Sequence, residues 1–291
     1  MNTTETTAPQ AKDYILTLSC PDKRGIVHAV SGFLAERGCN ILESAQFGDT
    51  LTGNFFMRVH FSDVEHQADG LQSAFQTLGQ QYQMDWKIQD AAKQPRVLVL
   101  VSKIGHCLND LLYRKSSGLL HADIRAVISN HRDFEELTKA HQIPFHYLPV
   151  TKDNKEQQEQ RLMEIVEQEK IDLVVLARYM QVLSPALCRR LRGKIINIHH
   201  SFLPSFKGAR PYAQAHARGV KLIGATAHFV TDDLDEGPII EQDTVRVRHS
   251  LSAEQFTAMG RDVECVVLAR AVDWFVRNRI LLNGDKTIVF Q

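Results

Sequence analysis

The chain has 291 residues, 44% hydrophobic and 23% charged, which excludes a disordered polymer and supplies apolar side chains for a sizeable core. Lys and Arg number 34 and Asp and Glu 34, a zero balance that argues against a wholesale binder of nucleic acid or of a membrane surface. No apolar run is long enough to span a bilayer and the polar start MNTTETTAPQAKDY lacks the layout of a signal peptide, so a cytoplasmic protein is expected. Five cysteines, Cys20, Cys39, Cys107, Cys188 and Cys265, are odd in number and form no CxxC pair. Neither a disulfide framework nor a metal site is expected from them.

Residues 1–12 read as a flexible N-terminus. Residues 14–19 (YILTLS) form a strand-like run that ends at Cys20-Pro21-Asp22-Lys23-Arg24-Gly25. Ile26, Val30, Phe33 and Leu34 then recur at helical spacing up to Gly38. Residues 39–46 and 55–61 are strands around a Gly-Asp-Thr-Leu-Thr-Gly turn, residues 68–82 fit a helix, and 84–89 a last strand. The order βαββαβ over residues 13–90 is that of a ferredoxin-like unit, with residues 91–96 as a linker. Over residues 97–291, apolar strand runs at 97–101, 124–129, 145–148, 173–176 and 195–198 alternate with helical stretches. Later strands fall at 222–230 and 239–247, and a long helix near 253–276. This is the pattern of a doubly wound, mostly parallel α/β sheet covered on both faces. Residues 1–90 hold 6 Lys and Arg against 11 Asp and Glu, and the remainder 28 against 23. The neutral total therefore hides an acidic first domain and a basic second one.

The stretch richest in chemistry is Asn197-Ile198-His199-His200-Ser201-Phe202-Leu203-Pro204. Asn197 and His199 are two apart at the carboxyl end of a strand, so they share a face where α/β sheets place ligands. An amide NH₂ beside an imidazole suits acyl transfer, one group donating to a developing oxyanion and the other handling a proton. A second cluster, Thr231-Asp232-Asp233-Leu234-Asp235-Glu236-Gly237-Pro238, follows an apolar strand. From the same edge of the sheet, a carboxylate there could orient the imidazole. His199 and His200 are adjacent and point to opposite faces if the strand continues, which does not suit a shared metal.

With these residues the second domain resembles the folate-dependent formyltransferase fold family. The resemblance assigns Asn197, His199 and Asp235 as its catalytic triad. Through Ala177-Arg178-Tyr179-Met180-Gln181-Val182-Leu183-Ser184-Pro185 it also implies a pterin pocket lined by Met180, Gln181, Leu183 and Val230. Transformylases of glycinamide ribonucleotide carry a glycine-rich phosphate loop after their first strand. Here that stretch is Ser102-Lys103-Ile104-Gly105-His106-Cys107-Leu108-Asn109, and His200 stands where those enzymes have Pro. Water is then the expected acceptor, with His200 either holding it or capping the loop. Lys207 and Arg210 either contact the glutamate tail of folate or form a solvated basic loop.

The first domain resembles the ACT family through Cys20–Ile26 and Asn40-Ile41. Asp22, Gly25 and Asn40 are the candidate amino-acid effector site, against a plain helix start as the other reading. ACT domain plus formyltransferase-like domain together resemble the formyltetrahydrofolate deformylases. That resemblance implies hydrolysis of 10-formyltetrahydrofolate to tetrahydrofolate and formate, supply of formate for purine synthesis, a folate substrate, no cofactor, and a homodimer or homotetramer. His199 could act as a protonated oxyanion stabiliser or as a neutral general base. The alternatives are formyl transfer to an amine and a non-catalytic folate or amino-acid sensor.

Overall fold

The computed structural model describes residues 11–63, 70–202 and 211–291, the side chain of Pro211 excepted. The chain forms two compact units. The first comprises the residues up to Lys93 with Asn278–Asn283 and Ile288–Gln291, the second Gln94–Arg277 with Gly284–Thr287.

In the first unit, β1 (Lys12–Pro21), α1 (Ile26–Ala35), β2 (Cys39–Asp49), β3 (Asn54–Asp63), α2 (Leu71–Tyr82) and β4 (Asp85–Asp90) follow the expected order. Lys12 already pairs with Asp63, so the strand starts within the expected flexible terminus, whose residues 1–10 lie outside the described ones. The sheet is antiparallel throughout, in the order β2-β3-β1-β4. This places parallel β1 and β2 on either side of β3, the split arrangement of a ferredoxin-like unit. Alternation along β1 turns Leu16, Leu18 and Cys20 toward Val30 and Leu34 of α1 and Leu71 and Phe75 of α2. Phe75 meets Phe33 edge-on at 5.0 Å and Trp86 at 4.8 Å between ring centroids.

The second unit contains β5 (Arg96–Val101), α3 (His106–Ser116), β6 (Asp123–Ser129), α4 (Glu135–Ala140), β7 (Phe145–Tyr147) and α5 (Lys155–Gln168). It continues with β8 (Leu173–Leu176), α6 (Pro185–Arg190), β9 (Ile195–His199), α7 (Pro211–Ala217), β10 (Leu222–Phe229), β11 (Ile239–Arg246) and α8 (Ala253–Val276). The sheet order is β11-β10-β9-β8-β5-β6-β7. The five strands β9, β8, β5, β6 and β7 are parallel, whereas β10 runs antiparallel to both β9 and β11. Strand order reverses between β5 and β8, the kind of switch point at which open α/β sheets bind ligands. Leu98, Leu100, Val174 and Leu176 pack against Leu162 and Val166 of α5 and Leu187 of α6. The helix α6 was not expected from its apolar spacing; Ser184 accepts from the Leu187 amide at 3.3 Å and Pro185 opens its first turn.

The expected second domain ran to residue 291, but the chain beyond α8 returns to the first unit and forms a hairpin of β12 (Ile280–Asn283) and β13 (Lys286–Val289). The reason is polar. The Arg279 guanidinium donates to both Glu43 oxygens at 3.1 and 3.2 Å, and Asn283 donates to Asp49 at 2.7 Å.

Because Phe75 is fully buried and anchors two aromatic contacts, Phe75→Ala should destabilise the first unit by about 3–5 kcal/mol, measured by denaturant unfolding.

Candidate active site

The register of β9 against β10 sets the centre. Asn197 pairs with His228 and His199 with Thr226, and alternation along each strand puts all four side chains on one face. The Asn197 Nδ2 stands 3.2 Å from His228 Nε2, and His228 Nδ1 lies 2.9 Å from the Phe229 carbonyl, to which it donates. A neutral His228 ring then leaves Nε2 to accept an Asn197 N–H. A protonated ring presents Nε2–H to Asp235 Oδ1 at 3.7 Å.

Asp235 arrives by an indirect route. The sequence suggested that its loop leaves the same sheet edge as His199, but β10 is antiparallel and ends at Val230, whose amide donates to Ile195 at the start of β9. The loop folds back across the sheet and brings Asp235 Oδ2 to 3.2 Å from His199 Nδ1. Asp235 adopts a left-handed φ of 57°, and a side chain at Gly237 would stand 1.8 Å from the Phe229 carbonyl, so this turn requires glycine. The hydrogen bond from His199, then that from His228, holds Asp235 well below the usual carboxylate range. His199 is 8% exposed, and its Nε2 is buried without a hydrogen-bond partner.

A cavity of about 280 Å³ opens beside these groups. Met180, Gln181, Leu183 and Val230 all line it, together with Asn197, His199 and Asp235. Its apolar rim remains uncovered, with Met180 57% and Leu234 63% exposed. The loop is pinned at its base: the Met180 amide donates to Ser102 Oγ at 2.9 Å, and that hydroxyl donates to Asn130 at 2.7 Å.

Behind His199 lies a buried polar cluster absent from the sequence reading. Glu264 of α8 is 1% exposed and accepts from Tyr212 OH at 2.7 Å and His106 Nε2 at 2.8 Å, with Arg178 Nε 3.5 Å away. Burial raises its pKa, but His106, Arg178 and Tyr212 outweigh this and hold the carboxyl low. A signal existed, since Glu264 falls on the buried stripe Phe256, Gly260, Leu268 and Val272 at intervals of four. His200 is half-buried beside this cluster. Burial first, then the Arg178 charge and His199, brings its imidazole down to about 4.

Other candidate residues do not converge. Asp22 and Gly25 lie at one end of the ACT-like sheet, where the Asp22 amide donates to Gly53 at 2.8 Å. Asn40 pairs with Ser62 while Pro21 pairs with Asn54, so eight residues of β3, roughly 26 Å, separate the two ends. Lys207 and Arg210 lie outside the described residues. Among the described residues, one group has metal-ligand chemistry: His106, Cys107 and Cys265, whose ligand atoms lie within 4.8 Å of one another. A hydrogen bond with Cys265, then burial, pushes the Cys107 thiol well up, which disfavours the thiolate a metal needs.

No helix among the described residues is long and apolar enough to cross a membrane. The formyl transferase family model matches residues 95–272 and the ACT domain model residues 14–76. A formyltetrahydrofolate deformylase of Corynebacterium sp. (strain P-1) is 47% identical over 96% of this chain and 98% of its own length. The crystal structure of a formyltetrahydrofolate deformylase from Burkholderia mallei superposes with a TM-score of 0.94 at 53% identity, covering 96% of this chain and 100% of that one. A glycinamide ribonucleotide transformylase from Symbiobacterium toebii covers 68% of this chain and 95% of its own, at 28% identity and a TM-score of 0.63. With an ACT domain ahead of a formyl transferase domain and near full-length likeness to these relatives, the chain belongs to the formyltetrahydrofolate deformylase family.

Proposed function

We propose that this cleft hydrolyses 10-formyltetrahydrofolate to tetrahydrofolate and formate, with Asn197, His199 and Asp235 as its working groups. The observation that carries the reading is the state of His199: Nδ1 faces an ionised Asp235 at 3.2 Å, while Nε2 is buried and unpartnered beside the apolar cavity. A neutral ring in this tautomer keeps its Nε2 lone pair free to act as a base. As water attacks the formyl carbon, Nε2 takes a water proton and Asp235 stabilises the imidazolium. An N–H of the Asn197 amide donates to the oxyanion. The imidazolium then protonates N10 as the C–N10 bond breaks, and the acid formed gives its remaining water-derived proton to solvent, so formate and tetrahydrofolate leave.

Met180, Gln181, Leu183 and Val230 form the wall against which the pterin packs, with the folate as substrate and no further cofactor in the reaction. His200, neutral at working pH, holds the attacking water as an acceptor. The shared core with the transformylases supports common formyl chemistry, and the ACT domain beyond the 68% covered distinguishes the present chain. The formate serves purine synthesis in the cytoplasm. The ACT domain takes an amino-acid effector, and because its Asp22 and Asn40 ends are far apart in one chain, an assembled homodimer or homotetramer brings them together.

The test is formate release from 10-formyltetrahydrofolate with no amine present. Asn197→Ala should lower kcat about 10²–10³-fold and Asp235→Asn should abolish stoichiometric release; formyl transfer appearing only with an added amine would overturn the reading. His200 makes a separate prediction. Its folded value, about 4, lies below the ordinary 6.5, so the unfolded chain binds more protons between those values and stability rises with pH there, levelling above. His200→Asn should flatten that slope, worth at most about 3 kcal/mol, read as denaturation midpoints from acid to neutral pH.

A further inference from the structure

Arg178 follows β8 at the switch point of the sheet, and its carbonyl accepts from the Ser102 amide at 3.2 Å across from the end of β5. It holds a left-handed φ of 64°, a conformation that favours glycine and that a long side chain adopts at a cost in strain. Its side chain is 10% exposed. Nε and Nη1 are shielded from solvent and make no hydrogen bond, although Nε has Glu264 Oε2 3.5 Å away. A buried guanidinium with idle donors is expensive, yet Glu264, fixed by Tyr212 and His106, holds it in place. Arg178 is also among the residues that line the cavity shared with Asn197, His199 and Asp235.

We propose that Arg178 is the subsite for the small carboxylate released here, formate; this rests on reading the cleft as a 10-formyltetrahydrofolate hydrolase. Hydrolysis turns a neutral amide into a carboxylate inside a cavity already lined by one ionised acid, Asp235. The new charge needs a cation within reach. His200 does not supply it, because its imidazole is neutral above about 4. A planar guanidinium matches the two oxygens of formate, one from the formyl group and one from water, by paired N–H donation. The product would satisfy donors that the protein itself leaves idle.

The test uses the full-length chain with sodium [¹³C]formate, titrated by NMR in the presence of saturating tetrahydrofolate. Arg178→Gly removes the guanidinium at a backbone conformation that glycine adopts freely, and Arg178→Lys keeps a cation. Formate affinity should fall about 10–100-fold in Arg178→Gly and be largely retained in Arg178→Lys, while tetrahydrofolate affinity stays unchanged in both. Unchanged formate affinity in Arg178→Gly would overturn the proposal, as would an equal loss of tetrahydrofolate affinity, which marks a structural role. A chain that releases no formate from 10-formyltetrahydrofolate, but whose formate binding still depends on Arg178, would sink the reaction and leave the subsite standing. Turnover with formate binding indifferent to Arg178 would do the reverse.

Discussion

The centre depends on the antiparallel pairing of β10 with β9 at the edge of an otherwise parallel run of strands. Had β10 run parallel to β9, His228 would not stand opposite Asn197 in the same register, and the loop after Phe229 would leave at the His199 edge of the sheet without crossing its face. Antiparallel pairing instead roots that loop beside Ile195, so it must cross the face on which Asn197 and His199 stand. One carboxylate at the crossing, Asp235, reaches both imidazoles, at 3.2 Å to His199 and 3.7 Å to His228. Backbone hydrogen bonds thus place the polar groups before any substrate arrives, which is the preorganisation that electrostatic stabilisation of an oxyanion requires.

Charge is then distributed unevenly among buried groups. Asp235 and Glu264 are both held in their ionised forms by named donors, whereas neighbouring His200 is driven to neutrality by burial and by Arg178. Groups of similar chemistry therefore do different work within a few ångströms, because desolvation and local charge act on each in opposite senses. Isolated carboxylates at this depth would simply take up protons. Each is retained as an anion because imidazole or phenol hydrogens already meet it, with the Arg178 charge nearby in the case of Glu264.

How much of this was legible in the sequence follows from the range of each interaction. Asn197 and His199 could be read because two-residue alternation is a local property of a strand. Met180, Gln181 and Leu183 came with a contiguous motif, and all line the cavity beside Asn197 and His199. His228 lies just ahead of Thr231–Pro238 and Arg178 within the Ala177–Pro185 motif, but sequence alone gives neither a role. The first depends on register with another strand, and the second on a positive φ that no side-chain pattern announces. Glu264 meets His106 across 158 residues of sequence and Tyr212 across 52. The return of the tail likewise rests on Arg279 reaching Glu43, 236 residues away. Asn40 stands apart from Asp22 and Gly25 in one chain for a related reason: their closeness in sequence hides the length of α1, which carries the chain to the other end of the sheet before β2 begins.

The two left-handed residues beside the cavity, Arg178 and Asp235, show what the fold gives up for this geometry. Glycine would take either backbone conformation without strain; Gly237, by contrast, is required by the close approach of the Phe229 carbonyl and not by a left-handed φ. At positions 178 and 235 the chain instead carries a cation and an anion that glycine cannot supply. Each strained turn is restrained by bonds outside itself: the Arg178 carbonyl by Ser102, and the Asp235 loop by the Phe229–Pro238 bond and the His199 contact. Local strain persists only where surrounding structure over-determines it, so the rigidity of β5, β9 and β10 is what lets two charged side chains occupy turns better suited to glycine. Both residues line the cavity that holds His199, and relaxing either turn would redirect its charge.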